Sequence, residues 1–123
     1  MKRTLGILFI VFISLVLIAG CTEEKPPGEE LKIGVVASMT GSASTTGKDI
    51  WQSAELAADE INADGGVYVA DLGKKVPIRL VQGDDESTRE GGQKAVSRMI
   101  TQDNVDILVG GFSSAVVSAH QQI

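Results

Sequence analysis

From Leu31 onward the chain alternates short aliphatic runs with stretches of helical periodicity, and this alternation constrains its fold more than any other feature. Lys32 to Met39 contains Ile33, Val35, Val36 and Ala37, a run suited to a strand buried on both faces. From Lys48 to Ala63 the apolar residues Ile50, Ala54, Ala57, Ala58 and Ile61 recur at helical spacing, with Asp49, Glu55, Asp59 and Glu60 between them. Gly65-Gly66 ends that helix, since glycine accepts the left-handed backbone that closes a last turn. Val67 to Val69 and Val76 to Val81 are β-branched runs parted by Asp71, Gly73 and two lysines, which predicts a hairpin-like excursion leading into a second main strand. Pro77 lacks an N–H, so that strand belongs at a sheet edge or begins near the proline. Ser87 to Glu90 matches a capping box, and Ala95, Val96, Met99 and Ile100 then form one apolar helical face. Val105 to Val109 reads as a third buried strand, Gly110-Gly111-Phe112 as a turn, and Ser113 as the opening of a third helix. Such an order predicts right-handed crossovers and an α/β fold, an open, mainly parallel sheet with helices on both faces.

Residues 1–20 do not join that pattern. Lys2 and Arg3 give a positive start, Leu5 to Ala19 is almost unbroken in its apolarity, and the chain turns polar after Cys21. A basic start, a short apolar run and small residues before a boundary predict a secretory signal. The run is shorter than the roughly 20 residues a spanning helix needs, which disfavours a transmembrane anchor. Leu17-Ile18-Ala19-Gly20-Cys21 resembles the lipobox of bacterial lipoproteins, which implies diacylglycerol on the Cys21 thiol. Each buried acyl CH₂ contributes about 0.8 kcal/mol, and two chains suffice for stable anchoring. Cys21 is the only cysteine, so the chain forms no disulfide within itself. Residues 21–30, with Glu23, Glu24, Pro26, Pro27, Gly28, Glu29 and Glu30, read as a tether that builds no core. Residues 31–123 are then a single folded unit. All 16 acidic residues follow Cys21, whereas two of the 11 basic ones precede it, so the exported part is more acidic than the whole chain's −5. That charge disfavours nucleic acid as a partner.

In open α/β sheets, ligands bind beyond the carboxyl ends of the strands where the strand order reverses. Two segments of unusual composition fall at such ends: Thr40-Gly41-Ser42-Ala43-Ser44-Thr45-Thr46-Gly47 and Gly110-Gly111-Phe112-Ser113-Ser114. If the strand order is 2-1-3, both border one crevice. The glycines of the second segment let backbone approach a ligand, the helix after it offers free N–H groups, and Ser113 and Ser114 add hydroxyls that can donate to a carboxylate. The plainer role for Ser113 is to cap its own helix. The first segment is not a P-loop: its spacing is one residue too long, and Asp49 stands where a magnesium-binding hydroxyl is required. Asp84-Asp85-Glu86 is read as helix-start chemistry rather than a cation site. His120, the only histidine, has no ligand-spaced partner and is expected on a helix surface, while Trp51 and Tyr68 are expected to cover the core edge. No nucleophile–base pairing can be assembled, so neither an enzyme nor a cofactor is expected.

These residues resemble the branched-chain amino acid binding protein family, the type I periplasmic solute receptors of ABC importers. The resemblance rests on Lys32-Ile33-Gly34-Val35-Val36 leading to Thr40-Gly41 and Gly47, on Ala57-Ala58-Asp59-Glu60-Ile61-Asn62-Ala63-Asp64-Gly65-Gly66-Val67, on Asp84-Asp85, and on Val109-Gly110-Gly111-Phe112-Ser113-Ser114-Ala115. It implies the first part of lobe one of a two-lobed clamshell that closes on an amino acid or related solute and presents it to a permease. It also implies that a hydroxyl after the third main strand, Ser113 or more favourably Ser114, takes the solute carboxylate, with Gly111 and Phe112 beside it. The place before the helix-opening glycine, often aromatic in the family, is Thr46 here, a departure from the pattern that recognises aliphatic side chains. The second lobe is not in this sequence, so the chain reads as an N-terminal piece. A ligand-sensing ectodomain of the same fold is the alternative, distinguished by a membrane segment after a second lobe.

Overall fold

The computed structural model describes residues 30–121 and 123, so the expected signal, Cys21 and all of the expected tether except Glu30 lie outside the described residues. The elements run β1 (Leu31–Ala37), α1 (Ser44–Ala63), β2 (Val67–Val69), a 3₁₀ turn (Ala70–Leu72), β3 (Lys74–Val76), β4 (Ile78–Asp84), α2 (Arg89–Arg98) continuing into a π-type turn (Met99–Asp103), β5 (Ile107–Gly110) and α3 (Ser114–His120). The main sheet has the order β4-β1-β5, and both of its pairings are parallel. β1 pairs with β4 along its whole length, from Leu31 opposite Ile78 to Ala37 opposite Asp84. Its pairing with β5 is shorter, from Ile33 opposite Ile107 to Val36 opposite Gly110. Counted as main strands in chain order this is 2-1-3. The β-branched excursion is the antiparallel hairpin β2–β3, and Pro77 separates it from β4, an edge strand of the sheet.

As the central strand, β1 is buried from Gly34 through Ala37. Neighbouring side chains on a strand point to opposite faces, so its aliphatic run serves two layers. On one face Val36 clusters with Val96 of α2 and Met99 of the π-type turn, with Val81 and Val105 packed around them. Met99 is fully buried, which contributes about 1.5–3 kcal/mol of hydrophobic stabilisation. On the other face α1 brings Trp51 and Ala58 to the same groove as Leu80 of β4. Helices therefore cover both faces.

Four expectations are corrected in detail. α1 begins at Ser44, one turn before Lys48, because Gly47 packs directly on β1's end: a Cβ there would lie 2.0 Å from the Ser38 carbonyl oxygen. α2 is capped by Thr88, whose Oγ1 accepts from Gly91 N at 2.9 Å, so Ser87 is released for another task. β5 is not buried: Ile107, Leu108 and Val109 are 46, 38 and 44% exposed, because among the described residues no strand lies beyond it. Tyr68 lies on the short hairpin and is 62% exposed, so it covers no core, whereas Trp51 is half-buried.

Candidate functional site

Because β5 lies parallel beside β1, the loops that follow both strands leave the same carboxyl edge, and the reversal of strand order falls between them. Gly111 N donates to the Val36 carbonyl at 2.9 Å, which stitches the second loop to the end of β1. Gly110 and Gly111 hold φ of 106° and 92°, and a Cβ at Gly110 would meet the Val36 carbonyl oxygen at 2.2 Å. That close crossing requires glycine. Phe112 then stands 59% exposed.

Ser113 occupies the N-cap position of α3 with extended backbone, yet its hydroxyl makes no capping bond. Its carbonyl accepts from Val116 N and Val117 N instead. The expectation of a side-chain cap by Ser113 is therefore corrected. Ser113 is half-buried and Ser114 exposed. On the other side of the edge, the residue before α1 is Ala43, which cannot cap, and the first turn carries no acidic side chain. Ser44, Thr45 and a half-buried Thr46 occupy that turn, so Thr46 is helical rather than part of a loop. α2, which follows β4 on the other side of β1, has both a side-chain cap and Glu90 in its first turn. The two helices that start at the crevice thus leave amide hydrogens and hydroxyls uncommitted, the arrangement suited to a small anion.

The acidic run at the end of β4 does more than begin a helix. Asp84 Oδ1 accepts from Met39 N at 2.9 Å, Thr40 N at 3.2 Å and Glu86 N at 2.8 Å, and Oδ2 accepts from the Thr40 hydroxyl at 2.7 Å. Burial works against the charge of Asp84, but these donors outweigh it and hold its carboxyl below the ordinary aspartate value. Asp85 is buried and accepts from the Ser38 hydroxyl at 2.6 Å and Ser87 N at 2.8 Å. Its use within the fold replaces the helix-start reading. Among the described residues no group of three or more His, Cys, Asp or Glu is placed to hold a metal ion.

His120 departs from the expected surface position. Its Nε2 is buried without a hydrogen-bond partner, and the ring edge lies over Gly92, where a Cβ would come within 2.1 Å of that nitrogen. Burial pushes the imidazole pKa down, against an opposing pull from the Asp85 charge. The surface expectation followed from the lack of a partner at ligand spacing. Gly91-Gly92 in the first turn of α2 was the available signal, a place where another helix approaches closely.

The lobe is an open α/β sheet with two hydroxyl-bearing helix starts at one carboxyl edge. The sequence pattern of the periplasmic binding protein family matches residues 30–123, and the chain belongs to that family. An amino acid binding protein of Pseudomonas aeruginosa is 34% identical over 86 residues, covering 70% of this chain and 21% of the relative. A Leu/Ile/Val-binding protein of Rhizobium johnstonii is 32% identical over 87 residues, covering 71% and 22%. Among solved structures, the branched-chain amino acid transporter substrate binding protein LivJ of Streptococcus pneumoniae, in complex with isoleucine, matches with a TM-score of 0.65 and 32% identity over 74% of this chain and 24% of its own. The leucine binding protein LivK of Thermotoga maritima matches with a TM-score of 0.62 and 27% identity over 75% and 24%. The chain spans about a fifth of the length of the curated relatives it matches. These relatives are binding proteins rather than enzymes, and the expected family and fold are borne out.

Proposed function

We propose that this chain contributes the first-lobe rim of an extracytoplasmic solute-binding lipoprotein of an ABC importer, which captures branched-chain or related amino acids, or amides, and delivers them to a permease. The observation that carries this reading is the adjacency of β1 and β5, with uncapped hydroxyl-bearing helix starts at one edge. In this reading Ser114, exposed at the start of α3, donates to the solute carboxylate, with Ser113 beside it. Gly111 lets backbone approach, Phe112 forms an apolar wall, and Thr46 lines the opposite side. A hydroxyl at Thr46 suits a solute with a polar side chain better than a purely aliphatic one. A lipid on Cys21 holds the receptor at the outer face of the cytoplasmic membrane. Closure by a second lobe excludes water and supplies much of the affinity, so the 123-residue chain alone binds weakly.

The test is calorimetry on a chimera in which residues 30–123 replace the matching part of the Streptococcus pneumoniae relative, titrated with leucine, isoleucine, valine and glutamine. Micromolar binding is expected, and Ser114→Ala is expected to weaken it at least about tenfold, equivalent to about 1.4 kcal/mol. No binding of any of these solutes by a folded chimera sinks the reading. Binding that survives both Ser113→Ala and Ser114→Ala moves the carboxylate to another site.

A further inference from the structure

Between β1 and α1 the chain runs from Ser38 to Ala43 without regular structure, yet this segment is fastened at both ends to one place, the turn Asp84–Ser87. Near its start, Met39 N, Thr40 N and the Thr40 hydroxyl all donate to the Asp84 carboxylate. At its far end, Ala43 N donates to the Ser87 hydroxyl at 3.0 Å, and that hydroxyl in turn donates to the Thr40 carbonyl at 3.0 Å. Ser87 therefore spans the loop, and Ala43 is the residue from which α1 springs.

The two turns are pressed together. Gly41, at φ 81°, leaves room for a Cβ only 2.5 Å from the Glu86 carbonyl oxygen and 2.7 Å from Ser87 Oγ. Glu86 and Ser87 themselves hold φ of 53° and 58°, a left-handed backbone that side-chain-bearing residues avoid unless their surroundings enforce it. This turn follows β4 at the same carboxyl edge, but on the opposite side of β1 from β5 and hence beside rather than at the point where the order reverses. Its reach toward solute is through the loop it grips.

We propose that Asp84 and Ser87 are positioning residues for solute binding: a clasp that sets the β1–α1 loop and, through Ala43, the first turn of α1 that carries Thr46. This rests on the crevice being the solute site. A mere fastening for stability differs in its consequences, because the contacts can be edited without removing the fold. Ser87→Gly deletes the bridging hydroxyl while relieving the left-handed backbone, so it loosens the loop with little loss of stability. Asp84→Asn keeps one oxygen for the amides and offers an N–H to the Thr40 hydroxyl, which can reverse and accept; Asp84→Ala keeps neither.

The experiment combines amide hydrogen exchange on the 123-residue chain with leucine, isoleucine and glutamine titrations of the chimera described above. Ser87→Gly and Asp84→Ala are expected to speed exchange at Ala43 and at Met39 and Thr40 respectively, while Val35 and Val36 stay protected. Both are expected to weaken solute binding about tenfold, with Asp84→Asn within about threefold of the parent. Unchanged affinity in Ser87→Gly and Asp84→Ala, measured against a parent chimera that binds, overturns the clasp and leaves the receptor reading standing. A folded parent chimera that binds none of the solutes sinks the receptor reading and the clasp's solute role with it. If Asp84→Ala fails to fold, Ser87→Gly decides alone: unchanged affinity overturns the clasp, and a tenfold loss at an unchanged melting temperature supports it.

Discussion

The Ser38 hydroxyl donates to Asp85 Oδ1 across 2.6 Å, joining the residue just after β1 to the residue just after β4 in a place where Ser38 is 2% and Asp85 0% exposed. The bond links the ends of two neighbouring strands at the carboxyl edge of the sheet. Ser87 N also donates to the same oxygen at 2.8 Å, so one carboxylate orders both turns.

Asp85→Ala strands these donors in a buried place, where each unsatisfied group costs about 1–3 kcal/mol. A loss in that range is expected from urea denaturation followed by circular dichroism. Ser38→Ala removes a donor but leaves Asp85 the Ser87 amide, and a smaller loss is expected. Equal stability of all three proteins would show that the pair contributes nothing net.

Gly47→Ala tests the seat of α1. The added Cβ would lie 2.0 Å from the Ser38 carbonyl oxygen, which is backbone and cannot swing aside. Overpacking of this kind typically costs about 1–3 kcal/mol. The change is expected to lower the melting temperature, whereas Lys48→Ala, one residue on and exposed, is expected to be nearly neutral. A Gly47→Ala protein as stable as the parent would mean that α1 does not rest against Ser38.

Acid sensitivity should trace to His120. Burial holds its pKa below the ordinary 6.5, with Asp85 pulling the other way, so the folded chain takes up a proton less readily than the unfolded one. Stabilisation by the neutral ring is fully present above pH 6.5 and is lost as pH falls through the lower folded value. Between about pH 7.5 and pH 5, the parent is expected to lose more stability than His120→Gln, read from urea midpoints. Parallel losses in the two proteins would place the acid response elsewhere.

Lipid attachment gives a prediction independent of the fold. Expression in a bacterial host with labelled fatty acid is expected to mark the parent chain and not Cys21→Ser, and only the parent is expected to sediment with membranes. Label on the serine variant would remove the lipobox reading.

The parts of the fold legible in the sequence were those governed by local patterning. The Ile33–Val36 run and the Val67 run became strands as their spacing predicts, and α1 turns Ile50, Ala54 and Ala58 inward although Ala57 and Ile61 of the expected face are exposed, while the Val76 run is split at Pro77 between β3 and β4. The 2-1-3 order entered only as a condition under which the two loops would meet, since no strand carries a local mark of which strand it sits beside. The misses were tertiary. Gly47 reads as the last residue of a loop until the Ser38 carbonyl is seen to occupy the space of its side chain. Ser87 and Thr88 are adjacent hydroxyls, and only the left-handed backbone at Ser87 decides which of them caps. Val105 to Val109 has the composition of a buried strand, but exposure depends on what lies beyond it. Ser113 and Ser114 stood out by composition, whereas Asp84 drew notice only as a cluster, because its value lies in donors 44 and 45 positions away.

β5 carries a practical consequence. Its outer rim combines Ile107, Leu108 and Val109, each between 38 and 46% exposed, with peptide groups that no neighbouring strand engages among the described residues. Such a rim is adhesive toward its own kind. Concentrated preparations of this chain should therefore cloud by edge-to-edge pairing of β5 with β5.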